Sequence, residues 1–153
     1  MLLPLAVQEG YLEVVKLLLD NGANIEAGCG NGWTSLFVAA ESGFDAIAKL
    51  LIERVANIEA MDVAHETALK KAATKGHEEV VKLLLARGAN VEAANRYHRM
   101  TPLVNAVMGG HTIVVELLLN GGADIHTRNR LRATPLHLAA EKGDEWILYN
   151  SVP

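Results

Sequence analysis

Residues 134–143 read TPLHLAAEKG, and looser copies of the same ten residues start at Met1 (MLLPLAVQEG), Thr34 (TSLFVAAESG), Thr67 (TALKKAATKG) and Thr101 (TPLVNAVMGG). Successive starts are 33, 33, 34 and 33 residues apart. A period in this range is the mark of stacked helical hairpins. Each threonine stands where an N-cap hydroxyl accepts from first-turn amides, and Pro135 falls at N1, where a missing N–H costs nothing. Leu136, Ala139 and Ala140, like Leu36, Ala39 and Ala40 or Leu69, Ala72 and Ala73, follow at i, i+3 and i+4. That spacing predicts a narrow buried stripe whose alanines let a neighbouring helix come close. Gly10, Gly43, Gly76, Gly110 and Gly143 then end the helix. A second helix follows whose apolar positions, such as Val80, Val81, Leu83, Leu84 and Leu85, occupy too much of its circumference for a surface helix.

The second half of the unit repeats as well: VVKLLLDNGA from Val14, IAKLLIERVA from Ile47, VVKLLLARGA from Val80 and VVELLLNGGA from Val114. With the T-P-L-H-x-A-A-x-x-G signature complete at Thr134, the chain resembles the ankyrin repeat over nearly all its length. The resemblance implies an all-α solenoid of stacked helix-turn-helix units with projecting β-turn or hairpin fingers. Residues 1–153 read as a single ankyrin-repeat domain, with units at 1–27 (partial), 28–60, 61–93, 94–127 and 128–153 (partial). It also implies a protein-binding role. In that family the variable contact positions lie around the finger turn and just before the helix-breaking glycine. By motif alignment these are Asn31, Trp33, Glu41 and Ser42; Val63, Glu66, Thr74 and Lys75; Arg96, Tyr97, Met100 and Met108; and Arg130, Leu131, Glu141 and Lys142.

Composition fits this reading, since aromatic residues are only 5% and thin interfaces between repeats need aliphatic and alanine side chains more than a thick core does. A single cysteine, Cys29, excludes an internal disulfide framework and points to a reducing, intracellular compartment, cytoplasmic or nuclear. No apolar run approaches the roughly 18 residues of a membrane span, and MLLPLAV lacks the basic start of a signal peptide. No catalytic constellation stands out: there is no G-x-S-x-G and no C-x-x-C, and His65-Glu66 fails as H-E-x-x-H because the fifth residue is Leu69. The expectation is a non-enzymatic chain without cofactor or metal. His77, His111 and His137 occupy recurrent repeat positions, which favours structural hydrogen bonding.

Several positions depart from the pattern. Val55 stands where the sister units have Gly22, Gly88 and Gly122, so a β-branched residue is expected at a left-handed helix end. His65, Arg99 and Arg132 replace the glycine kept as Gly32, so three finger turns are expected to be reshaped. Trp33 reads equally as an exposed anchor or as packing over the neighbouring finger, and Lys70, Lys71 and Lys75 as a solvated helix face. Glu26, Glu59, Glu92 and His126 take the place of the family's frequent asparagine, which weakens any inference of asparagine hydroxylation. At the first unit Leu2, Leu3, Leu5, Val7 and the segment Tyr11 to Leu19 read as an interior repeat without a polar cap, so a preceding repeat or a partner is expected over that end, and end-to-end self-association with it. The fifth unit is short, which predicts incomplete cover for Leu117, Leu118 and Leu119.

Charge is unevenly placed: residues 1–69 carry three basic and ten acidic side chains, net −7, while residues 70–153 carry eleven basic and eight acidic, net +3, giving the overall −4. Five of those eleven are Arg96, Arg99, Arg128, Arg130 and Arg132, on two adjacent fingers. A one-sided basic patch steers acidic partners. The candidate contact set is therefore Trp33, Glu41, Lys75, Arg96, Tyr97, Arg99, Met108, Arg128, Arg130, Leu131, Arg132 and Lys142, facing an acidic protein segment on a concave surface. Two alternatives stay open: nucleic-acid or nucleotide binding by the basic fingers, with Tyr97 stacking on a base, and a structural spacer within a larger repeat array.

Overall fold

Thr34, Thr67, Thr101 and Thr134 each accept a hydrogen bond from the backbone N–H three residues on, Phe37, Lys70, Val104 and His137, at 3.3 Å in every case. These caps start four of the inner helices in a computed structural model that describes residues 2–150. The inner helices are α1 (Leu2–Gln8), α3 (Ser35–Ser42), α5 (Ala68–Lys75), α7 (Pro102–Gly109) and α9 (Pro135–Lys142). Each turns back into an outer helix: α2 (Leu12–Asp20), α4 (Asp45–Glu53), α6 (Glu78–Ala86), α8 (Thr112–Asn120) and α10 (Glu145–Asn150). Gly10, Gly43, Gly76, Gly110 and Gly143 make the turn in the left-handed conformation, with φ of 70 to 78°, which costs glycine least.

Inner helices pack on inner helices and outer on outer, so each hairpin buries its neighbour's apolar stripe. Leu36, Leu69 and Leu103 are buried in the inner row with Ala39, Ala40, Ala72, Ala73 and Ala106; Leu51, Leu84 and Leu118 are buried in the outer row. The stripe opens only in the last unit, where Ala140 is exposed and Leu136 half-buried. Leu118 is fully buried and Leu117 and Leu119 are half-buried, because α10 packs on α8. That corrects the incomplete cover expected for Leu118, and leaves Leu117 and Leu119 as half-buried as their counterparts Leu83 and Leu85.

Between units the stack is stitched by polar contacts at a fixed repeat position. The carboxylates of Glu26, Glu59 and Glu92 accept from the backbone N–H of Asn57, Asn90 and Asp124 of the following unit, at 2.7, 2.7 and 2.8 Å. The histidines before α6 and α8 also reach back: His77 Nε2 meets the Glu41 carbonyl at 3.0 Å and His111 Nε2 the Thr74 carbonyl at 3.1 Å. His137 instead completes a capping box with Thr134. All three histidines thus hold backbone.

Two expectations need correction. Lys70 is 1% exposed and Lys71 is half-buried, so of the three lysines of α5 only Lys75 lies on a solvated face. His65, Arg99 and Arg132 keep left-handed backbone, with φ of 58, 53 and 64° against 77° at Gly32, so the turns of fingers three and five are retained and only the fourth, with its extra residue, is reshaped. The first unit shows the apolar, uncapped end expected of it: Tyr11, Val14 and Leu17 are exposed beside Leu2 and Leu5, although Ile47, Val80, Val114 and Ile147, the counterparts of Val14, are all buried.

Val55 has φ 66°, as at Gly22, Gly88 and Gly122, and is 84% exposed. Left-handed backbone strains a β-branched residue by about 1–2 kcal/mol, against roughly 0.5–1 kcal/mol of added chain entropy for glycine. Val55→Gly should therefore raise the urea midpoint, by an amount equivalent to about 0.5–1 kcal/mol. A lower midpoint would mean that Val55 makes contacts its exposure does not reveal.

Candidate functional site

Fingers three, four and five are loops whose shape is set by one acceptor side chain each. Asp62 Oδ1 accepts from the N–H groups of Ala64 and Glu66, both at 2.8 Å; Asn95 Oδ1 from His98 and Met100; Asn129 Oδ1 from Leu131 and Ala133. The turn then closes from His65 N–H to the Asp62 carbonyl (3.0 Å), and from Arg132 N–H to that of Asn129 (2.9 Å). In the fourth finger Arg99 N–H reaches the Asn95 carbonyl at 3.2 Å across one further residue, which absorbs the insertion. Among the described residues the fingers form no strand; a single antiparallel bridge joins Met61 and Thr67.

Fingers four and five are tied together. The Arg130 N–H donates to the His98 carbonyl at 3.0 Å, and its guanidinium donates to the Tyr97 carbonyl at 3.1 Å. Arg96, Arg99, Arg128, Arg130 and Arg132 are exposed, and among the described residues none of the five lies within ion-pair distance of a carboxylate. Between them stand two exposed apolar side chains, Tyr97 at 55% and Leu131 at 87%. Met108 and Lys142 mark the ends of α7 and α9, where the Lys142 ammonium donates to the Met108 carbonyl. Val63 N–H donates to the Asn31 carbonyl and so joins fingers two and three. No such bond links three to four among the described residues.

At the other end, Trp33, Glu41 and Lys75 line one cavity of about 800 Å³. Leu2, Pro4, Leu5 and Val38 provide apolar walls, and Gln8, Ser42 and the finger residues Cys29, Gly30 and Asn31 complete the lining. Cys29 is a free thiol, half-buried. Trp33 combines both roles read from the sequence: its ring stacks on Phe37 with centroids 5.4 Å apart, its indole N–H donates to Asp62 of the next finger at 3.3 Å, and it still borders the cavity.

Beneath this lies a charged network. The buried Lys70 ammonium meets Glu66 at 2.5 Å, Lys71 meets Glu66 at 3.2 Å and Glu41 at 3.9 Å, and the Lys71 ammonium sits 5.3 Å from the Phe37 ring centroid. Partial burial pushes the Glu66 carboxyl upward, but its hydrogen bonds and charge attraction to Lys70 and Lys71 outweigh it and hold the group below the usual carboxylate range. No group of three or more His, Cys, Asp or Glu side chains suited to a metal occurs among the described residues.

Sequence reasoning missed the cavity walls Leu2, Pro4, Leu5 and Val38, which come from two units and converge only in the folded stack. It also missed the glutamate stitching, although Glu26, Glu59 and Glu92 recur 33 residues apart and that regularity was a usable signal.

A family model described as ankyrin repeats, three copies, matches residues 3–95 and again 92–149. The chain belongs to the ankyrin-repeat family. Among the curated proteins none matches it. Ankyrin repeats are in general protein-binding modules, and no helix of this ankyrin-repeat chain, among the described residues, is long and apolar enough to cross a membrane.

Proposed function

We propose that this ankyrin-repeat domain is a non-enzymatic interaction module that binds an acidic protein segment along the face built from fingers and inner helices, with the contact centred on fingers four and five. The observation that carries the reading is the set of five exposed arginines with no carboxylate partner among the described residues. Guanidinium groups hold carboxylates in bidentate pairs. Arg99 and Arg132 occupy strained left-handed backbone, a local cost that selection for their side chains would explain. Tyr97 and Leu131 add apolar contact. The net charge of −4 disfavours nucleic acid as the partner, and the free thiol of Cys29 fits a reducing intracellular compartment. Copies associating end to end are the second reading, favoured by the exposed Leu2, Val14 and Leu17.

Replacing Arg96, Arg99, Arg130 and Arg132 with alanine should leave helicity and melting nearly unchanged, because these side chains are exposed. Binding of fluorescein-labelled aspartate- and glutamate-rich peptides should weaken at least tenfold and lose most of its salt dependence. Equal affinity of parent and variant would place the contact elsewhere. Tighter binding of a single-stranded oligonucleotide than of any acidic peptide would make the fingers a nucleic-acid site.

A further inference from the structure

The cavity at the opposite end of the chain from the arginines has an anchor's properties. Its volume, about 800 Å³, is in the range of sites for drug-sized ligands, so it has room for a large side chain together with its flanking backbone. The walls Leu2, Pro4, Leu5, Val38 and Trp33 are apolar. Trp33 is fixed in advance by its stacking on Phe37 and its bond to Asp62, so seating a guest costs little ordering of the host. At the rim, Lys75 is exposed and has no ion-pair partner among the described residues, whereas Glu41 already faces Lys71. The free rim charge is therefore a cation, and the chemistry that matches the site is a bulky apolar side chain flanked by a carboxylate.

We infer that the cavity seats one large apolar residue, aromatic or leucine, of the same acidic segment that the arginine fingers hold. The spacing follows from the stack. Neighbouring helices lie roughly 8–10 Å apart, so about three repeat steps separate the cavity from fingers four and five, on the order of 25–30 Å. An extended chain advances about 3.3 Å per residue, which puts the apolar residue about eight or nine positions from the acidic cluster. This spacing rests on the proposed role of the arginines, while the anchor itself rests on the cavity.

The two can be separated with Trp146→Phe protein, in which Trp33 is the sole tryptophan and reports on the cavity. Three synthetic peptides share an acidic cluster: one has phenylalanine nine residues away, one has it three residues away, and one has serine in place of the nine-residue phenylalanine. The first should bind at least tenfold more tightly than the other two and shift Trp33 emission, and Leu5→Arg or Leu2→Arg, both at exposed positions, should erase that advantage. Equal binding of all three without an emission shift overturns the anchor; if the arginine-to-alanine variant then loses them all, the arginine reading stands alone. An emission shift whose affinity ignores the arginine replacements supports the anchor and overturns the arginine reading. Tightest binding by the three-residue peptide overturns the spacing. Trp33 emission that moves with protein concentration alone assigns the cavity to a second copy and overturns the peptide anchor.

Discussion

Glu66→Gln should lower unfolding stability by about 3 kcal/mol, because it leaves the Lys70 ammonium, 1% exposed, without its carboxylate. Two sister units show an apolar alternative at that position: Phe37 and Val104 fill it and are equally buried. Adding Lys70→Leu to Glu66→Gln should therefore recover most of the loss, since a buried ion pair replaced by packed hydrophobic residues is commonly neutral or stabilising. Urea unfolding of both variants tests this. A double variant as unstable as the single one would show that the lysine stem packs in a way leucine cannot copy. The pH dependence has a fixed sign. Glu66 titrates below its ordinary value of 4.5 when folded, so its contribution is complete above that value and is lost as pH falls through the lower folded pKa. Melting temperature should drop on that acid side in the parent, and less so in the double variant.

Gly43→Ala should cost about 3 kcal/mol, while the same change at Gly143 should cost about 1. Both glycines have nearly the same backbone, φ 72 and 70°, so the left-handed penalty of about 1–2 kcal/mol is shared. What differs is the neighbour. A Cβ on Gly43 would stand 2.5 Å from Nδ1 of His77, whereas one on Gly143 would meet nothing within 4 Å. His77 cannot swing aside without giving up its contact to the Glu41 carbonyl, worth about 1 kcal/mol, and the displaced ring must then be repacked. Gly110 is a second control, because the residue following Gly143 is Asp144 rather than a histidine, and Gly110 has open space. Equal losses at Gly43 and Gly143 in urea midpoints would mean that the His77 ring moves freely.

Local chemistry made the repeat legible. Threonine caps, helix-ending glycines and the alternation of alanine stripes with bulkier outer helices depend on residues a few positions apart, and each appears in the structure where the sequence puts it. Lys70 escaped because helical spacing on α5 alone makes three lysines look alike, whereas its burial is decided by the column it shares with Phe37 and Val104. The finger turns escaped for a different reason. A left-handed arginine or histidine is strained, but the hydrogen bonds to Asp62 and Asn129 fix the loop strongly enough to override that cost. Of the candidate contact residues, the arginines could be placed on adjacent fingers by repeat register. Trp33, Glu41 and Lys75 could not be placed around one cavity, because the walls that enclose it with them belong to the first unit and to α3.

The stitching glutamates have a consequence for how such a chain can diversify. Glu26 and Glu59 each reach a backbone N–H 31 residues ahead, and Glu92 reaches one 32 residues ahead, at nearly the same bond length. The added residue lies between the two ends of that last bond, in a loop that projects away from it. Loop length and stacking geometry are thus mechanically separate variables. Selection can lengthen or rewrite the fourth finger, and recognition with it, without retuning the spacing of the units that carry it.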